Sequence, residues 1–226
     1  MIFALATPAG KAALAVFRIS GSGCHEVISK ILDKNIAEFN RVFLRKIIHD
    51  GVLVDVSTVV FYKSPKSYTG EDMVEVFCHG GFATLKKLID LFHNLNIREA
   101  EPGEFTKISV LNGKQTLNEA ESLLDLINST TDAEMNMALG VVAGELSNTV
   151  SVLGDELDDI RVFVESIIDF DDEDGVDVSL EEVIERLEAL RLGFGDLKKQ
   201  GFRSSNIGKT NGVLMLGPPN VGKSSL

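Results

Sequence analysis

Two β-rich runs, Arg41–His49 and Val52–Lys63, are separated only by Asp50-Gly51. A two-residue hairpin turn needs positive φ, which glycine adopts without steric cost and aspartate tolerates. The pair therefore predicts two long antiparallel strands. Ile2–Thr7, Ala13–Ile19 and Met73–His79 read as further strands. Between them, Ser22–Leu32 places Cys24, Val27, Ile28, Ile31 and Leu32 on one helical face. Phe82–Leu95 returns to helical spacing through Phe82, Leu85, Leu88, Ile89 and Phe92. A sheet with few helices implies an α+β domain over residues 1–114, with helices packed on one side.

After residue 114 the hydrophobic period changes. Thr116-Leu117-Asn118-Glu119 and Thr131-Asp132-Ala133-Glu134 both fit the capping box that opens a helix. Met135, Leu139, Val142, Leu146, Val150, Leu153, Leu157, Ile160, Val164 and Ile167 then recur every three or four residues without a proline. This spacing predicts one helix of about forty residues. So long a single stripe needs a partner, which implies a bundle. Asp169–Gly175 is acidic but lacks the spacing of a calcium loop, and reads as a solvated turn. Ser179-Leu180-Glu181-Glu182 opens another helix, with Leu180, Val183, Leu187, Leu190, Phe194 and Leu197 as its stripe and Gly201 as its end. Residues 115–212 thus read as the first part of an all-α helical domain closed by a linker.

Charge divides the chain in the same way. Residues 1–114 hold 14 Lys and Arg against 12 Asp and Glu, and residues 115–226 hold 8 against 22, within a net charge of −12. The acidic half repels a polyanion, so any nucleic acid must be met elsewhere or through a partner. No stretch approaches the roughly 18 apolar residues of a membrane span, and Met1–Pro8 has no basic n-region or long apolar core. Cys24 and Cys78 form no CxxC pair, and neither His25 nor His79 has a second ligand at zinc spacing. These features predict a soluble, cytoplasmic protein without a disulfide framework.

Three charges interrupt the first domain. Arg18 ends an otherwise apolar strand, Glu75 lies inside another, and Lys114 follows an Asn112-Gly113 turn. By residue type each reads first as a solvated edge or turn charge. The functional reading is a pocket for an elongated anion, with basic residues on carboxylates and Glu75 accepting from ring N–H groups. At the other end, the apolar Val213-Leu214-Met215-Leu216 leads into Gly217-Pro218-Pro219-Asn220-Val221-Gly222-Lys223-Ser224-Ser225. This is GxxxxGKS after a strand, the context a P-loop requires. Backbone N–H groups approach the phosphates, Lys223 neutralises the terminal ones, and Ser224 binds magnesium. Residues 213–226 read as the start of a P-loop α/β GTPase domain, and the sequence as the front of a longer protein.

The ordered blocks Ala6-Thr7-Pro8, Phe17-Arg18-Ile19-Ser20-Gly21, Tyr68-Thr69-Gly70-Glu71-Asp72, His79-Gly80-Gly81, Pro102-Gly103-Glu104-Phe105-Thr106, Leu111-Asn112-Gly113-Lys114, Ile168-Asp169-Phe170 and Gly217–Leu226 resemble the MnmE (TrmE) family of tRNA-modification GTPases. The resemblance implies a folate-binding domain that forms a homodimer, then a helical domain interrupted by an inserted Ras-like GTPase domain. It implies action with an MnmG-type flavoprotein at C5 of the wobble uridine of tRNA, with no membrane partner. Arg18, Glu75 and Lys114 match the family's contacts to 5-formyl-tetrahydrofolate at the dimer interface. Asn220, Val221, Gly222, Lys223, Ser224 and Ser225 match its GTP-binding stretch, with Asn220 at potassium and Ser224 at magnesium. Catalytic residues are then expected beyond Leu226, and the 226-residue chain alone is expected not to hydrolyse GTP. The alternative reading is a non-enzymatic folate-binding dimerisation module with an inactive P-loop. A one-carbon transferase of the aminomethyltransferase type is more distant, since it needs no P-loop.

Overall fold

The computed structural model describes residues 1–36, 38–170 and 180–207. The chain divides into two compact units, Met1–Leu117 and Asn118–Leu226. The first is built on a six-stranded sheet of β1 (Ile2–Leu5), β2 (Ala12–Ser20), β3 (Val42–His49), β4 (Val52–Tyr62), β5 (Met73–Gly80) and β6 (Arg98–Glu99). Their order is β3-β4-β5-β2-β1-β6, antiparallel except for the β1–β6 pair. The hairpin predicted at Asp50-Gly51 is present, with φ of 49° and 76° at the two turn residues.

Register decides what each face carries, because residues paired across strands point the same way. Phe43, Val59, Val76, Phe17 and Leu5 form one row across five strands. Val59, Val76 and Phe17 of this row belong to the core and Leu5 packs against it, together with residues of α1 (Cys24–Ser29) and α2 (Phe82–Asn94). Phe3, Phe17 and Phe92 pack there with ring centroids 5.2–6.4 Å apart. Burial pushes the Cys24 and Cys78 thiols up to about 12 and about 11, so both are inert. The neighbouring row, Val42, Val60, Glu75, Arg18 and Ala4, faces the opposite way.

Two local expectations need correction here. The first helix stops at Ser29 rather than Leu32, although Ile31 still reaches the core. Phe82, expected on the buried stripe, is 63% exposed at the first position of α2, whereas Leu85 and Leu88 are buried. The two-residue β6 and α3 (Glu104–Leu111) carry too little periodicity to be read from sequence.

The second unit contains α4 (Leu117–Asn128, its first residue at the unit boundary), α5 (Asp132–Val142), α6 (Glu145–Phe170) and α7 (Leu180–Ile207). The capping box at Thr131 forms as expected: its hydroxyl accepts from Glu134 N, and Glu134 Oε2 accepts from Thr131 N. The single helix of about forty residues does not form. It breaks between α5 and α6, whose axes differ by 49°. Gly144 there has φ 82°, the left-handed conformation that ends a helix, so the absence of proline was not sufficient for continuity. Gly201, by contrast, does not stop α7, which runs on to Ile207. An interior glycine costs about 1 kcal/mol of propensity and need not break a helix that is otherwise supported. Asp169 and Phe170 close α6, while the rest of the acidic run lies outside the described residues. No single described helix is long and apolar enough to cross a membrane.

Candidate ligand-binding site

Arg18 and Glu75 come from the two central strands, β2 and β5, where they stand directly opposite each other. Arg18 Nε donates to Glu75 Oε1 at 2.7 Å. Glu75 is only 8% exposed, so a solvated edge charge is not what this residue is. A buried carboxylate needs partners, and a second comes from the other neighbouring strand, where the Tyr62 hydroxyl donates to Oε2 at 3.0 Å. Burial, followed by the charge of Glu75, pushes the Tyr62 phenol up to about 12. It therefore stays protonated as a donor.

The chain between β4 and β5 folds over this end of the sheet. The Tyr68 ring lies under the Arg18 guanidinium, 4.9 Å from centroid to Cζ, and its hydroxyl is 2.9 Å from Thr106 Oγ1 on α3. Thr69 is fully buried, 2.7 Å from Ser20 Oγ, and its carbonyl accepts from Asn112 Nδ2 at 2.7 Å. Lys114 Nζ donates to the Pro65 carbonyl at 3.0 Å. The same loop thus touches Arg18 through Tyr68 and Lys114 through Pro65. An open pocket of about 480 Å³ lies beside it, lined by Ser22, Ser64, Gly70, Glu71, Asp72 and Asn112.

Two of the three charges singled out in the sequence are in direct contact, and the third is joined to them through one loop. Arg18 Nη1 and Nη2 make no hydrogen bond among the described residues. A guanidinium with that edge open suits a planar carboxylate, held by two parallel N–H donors. The histidines are occupied elsewhere. His25 Nε2 is 3.1 Å from the Tyr62 carbonyl, and His79 Nδ1 donates to Asp55 Oδ1 at 2.7 Å. Among the described residues no three His, Cys, Asp or Glu side chains gather at a metal spacing. Asn220 to Ser225 lie outside the described residues.

A family model described as GTP-binding protein TrmE N-terminus matches residues 1–114, and one described as MnmE helical domain matches residues 117–207. The chain belongs to the MnmE (TrmE) family. Relatives named tRNA modification GTPase MnmE are 41% identical in Thermotoga maritima, 37% in Aquifex aeolicus and 33% in Clostridioides difficile. Each alignment covers 100% of this chain and 50–51% of the relative. The chain thus spans about half the length of the curated relatives it matches.

Within this MnmE-family domain, sequence reasoning missed Tyr62 as a member of the site and quoted Tyr68 only as part of a motif. One signal was available. The chain has 13 Phe but only 2 Tyr, and both tyrosines meet the Arg18–Glu75 pair. A tyrosine in a phenylalanine-rich interior marks a place where a hydroxyl has a partner.

Proposed function

We propose that this chain is the N-terminal part of a tRNA-modifying GTPase whose first domain binds a reduced folate, 5-formyl-tetrahydrofolate or a close relative. The observation that carries the folate reading is the buried Glu75 held between Arg18 and Tyr62, with the open guanidinium edge of Arg18 and Lys114 anchored on the adjoining loop. Arg18 and Lys114 would hold carboxylates of the ligand, and Glu75 would accept from its ring N–H groups. When bound, the folate supplies a one-carbon unit. The relatives' names support a tRNA substrate and GTP hydrolysis. The sequence supports nucleotide binding at Asn220–Ser225, with Lys223 on the terminal phosphates, Ser224 on Mg²⁺ and Asn220 on K⁺.

The family resemblance adds action in the cytoplasm with a flavoprotein partner at C5 of the wobble uridine, and dimerisation through the first domain. Dimerisation gains support from exposed Val42, Leu44 and Val56, an apolar band on the same sheet face as Arg18.

Titration calorimetry of the 226-residue chain with 5-formyl-tetrahydrofolate tests the folate reading. Arg18→Ala and Lys114→Ala should each weaken binding by about 1.5–3 kcal/mol, the range of a charge-assisted hydrogen bond. No binding by the wild-type chain would overturn it. For the GTPase reading, Lys223→Ala in the full-length protein should abolish turnover, and replacing potassium by sodium should slow the wild type sharply. Turnover at the wild-type rate in Lys223→Ala would remove the P-loop assignment.

A further inference from the structure

We propose that Tyr62 and Tyr68 are positioning residues that hold the Arg18 guanidinium in one orientation, with its Nη1–Nη2 edge presented to a carboxylate of the ligand. This rests on the reading of Arg18 as an anion-binding residue. An arginine side chain has several rotatable bonds and at 34% exposure would ordinarily sample many conformers. Here it meets two separate constraints. Its Nε donates to Glu75 Oε1 at 2.7 Å, and the carboxylate accepting that bond also accepts from the Tyr62 hydroxyl on β4 at 3.0 Å. Glu75 therefore receives one donor from each neighbouring strand, which fixes the plane of its carboxyl group. The guanidinium Cζ lies over the Tyr68 ring, 4.9 Å from its centroid, a cation–π contact. That ring is in turn located by the 2.9 Å bond between its hydroxyl and Thr106. With Nε bonded to Glu75 and Cζ over the Tyr68 ring, the edge bearing Nη1 and Nη2 is the part left to meet a planar anion. A fork already oriented gives up less side-chain entropy on binding than a free one.

Two measurements test the assignment. The first uses the ligand-free chain and follows solvent exchange of the Arg18 Nε–H by nuclear magnetic resonance. Tyr62→Phe should speed that exchange about two-fold or more, because the Glu75 carboxylate loses one of its two donors. Tyr68→Leu should speed it as well, and Tyr68→Phe, which keeps the ring, should stay close to wild type. The second measures affinity for 5-formyl-tetrahydrofolate. Tyr68→Leu should weaken binding about two- to thirty-fold, corresponding to a cation–π contact, while Tyr68→Phe stays within about two-fold. In an Arg18→Ala background, Tyr68→Leu should have no further effect, because its action passes through Arg18. Unchanged exchange in Tyr62→Phe and Tyr68→Leu overturns the positioning role. So do equal affinity losses for Phe and Leu at position 68, or additive losses with Arg18→Ala. Wild-type exchange behaviour as expected, with no folate bound, overturns the folate reading and leaves the positioning of Arg18 in place.

Discussion

The sheet unit and the helical unit make their cores in different ways. In the first, 18 buried apolar residues form one cluster, and every strand of the five-strand rows contributes to it or stands beside it. In the second, the described core cluster has four buried residues, Leu153, Ile160, Val183 and Leu190, with Phe163, Val164, Ile167 and Leu197 packed against it. Leu124, Ile127, Val150, Leu157, Ile184 and Leu187 are meanwhile more than 40% exposed. Both units have apolar residues at regular spacing, so periodicity is not what separates them. A sheet brings distant segments together and closes a layer over itself, whereas two helices share only one stripe and leave the rest of each surface uncovered. Stability should therefore concentrate in the sheet unit, where the Arg18–Glu75 site also sits.

Separate probes make that contrast measurable. Both tyrosines lie in the sheet unit and the chain has no tryptophan, so intrinsic fluorescence follows that unit, while far-ultraviolet dichroism is dominated by the helices. The largest effect should come from Phe17→Ala, which empties a site with no exposure, between Phe3 and Phe92. Urea unfolding followed by fluorescence should show a loss of about 3–5 kcal/mol. A loss of the same size in the dichroism transition alone would reverse the comparison.

Next comes Asp55, which accepts from His79 N at 3.0 Å, from His79 Nδ1 at 2.7 Å and from Ser57 Oγ at 2.8 Å. Burial alone would raise its carboxyl pKa, but the bonds from His79 and Ser57 outweigh it and hold the group below its ordinary value. The stability it supplies is present above the unfolded-state value of about 3.9 and is lost as pH falls through the lower folded value. Asp55→Asn should cost about 1–3 kcal/mol at pH 7 and flatten the acid side of the fluorescence melting profile. An acid limb as steep as wild type would remove Asp55 from this role.

Gly144→Ala gives an effect whose sign is the test. If the break between α5 and α6 depends on the left-handed residue, the helical transition loses about 1 kcal/mol. If the sequence instead favoured a continuous helix there, the same change would add about as much. The smallest effect is expected on α4, where Leu124 is 62% exposed. Leu124→Ala should stay within about 0.5 kcal/mol by dichroism, and a larger loss would mean that this face is covered in solution.

The sequence by itself determined whatever depends on neighbours along the chain. Asp50-Gly51 set its hairpin, the alternation in β2, β4 and β5 set which residues share a face, and Thr131 with Glu134 set the start of α5. It also held the ordered blocks by which the family is recognised. Tertiary structure decided what depends on neighbours across space. Residue type made Arg18 and Glu75 look like solvated charges. Only the register of β2 on β5 made them partners, and only β4 on the far side of β5 brought the Tyr62 hydroxyl to Glu75. The fold of the loop that seats Tyr68 on Arg18 and Pro65 on Lys114 was equally out of reach. Local propensity acts over a few residues, whereas Arg18 and Glu75 are separated by 57 positions. No short-range rule encodes that pairing, because strand order and register are chosen by burial of the whole sheet.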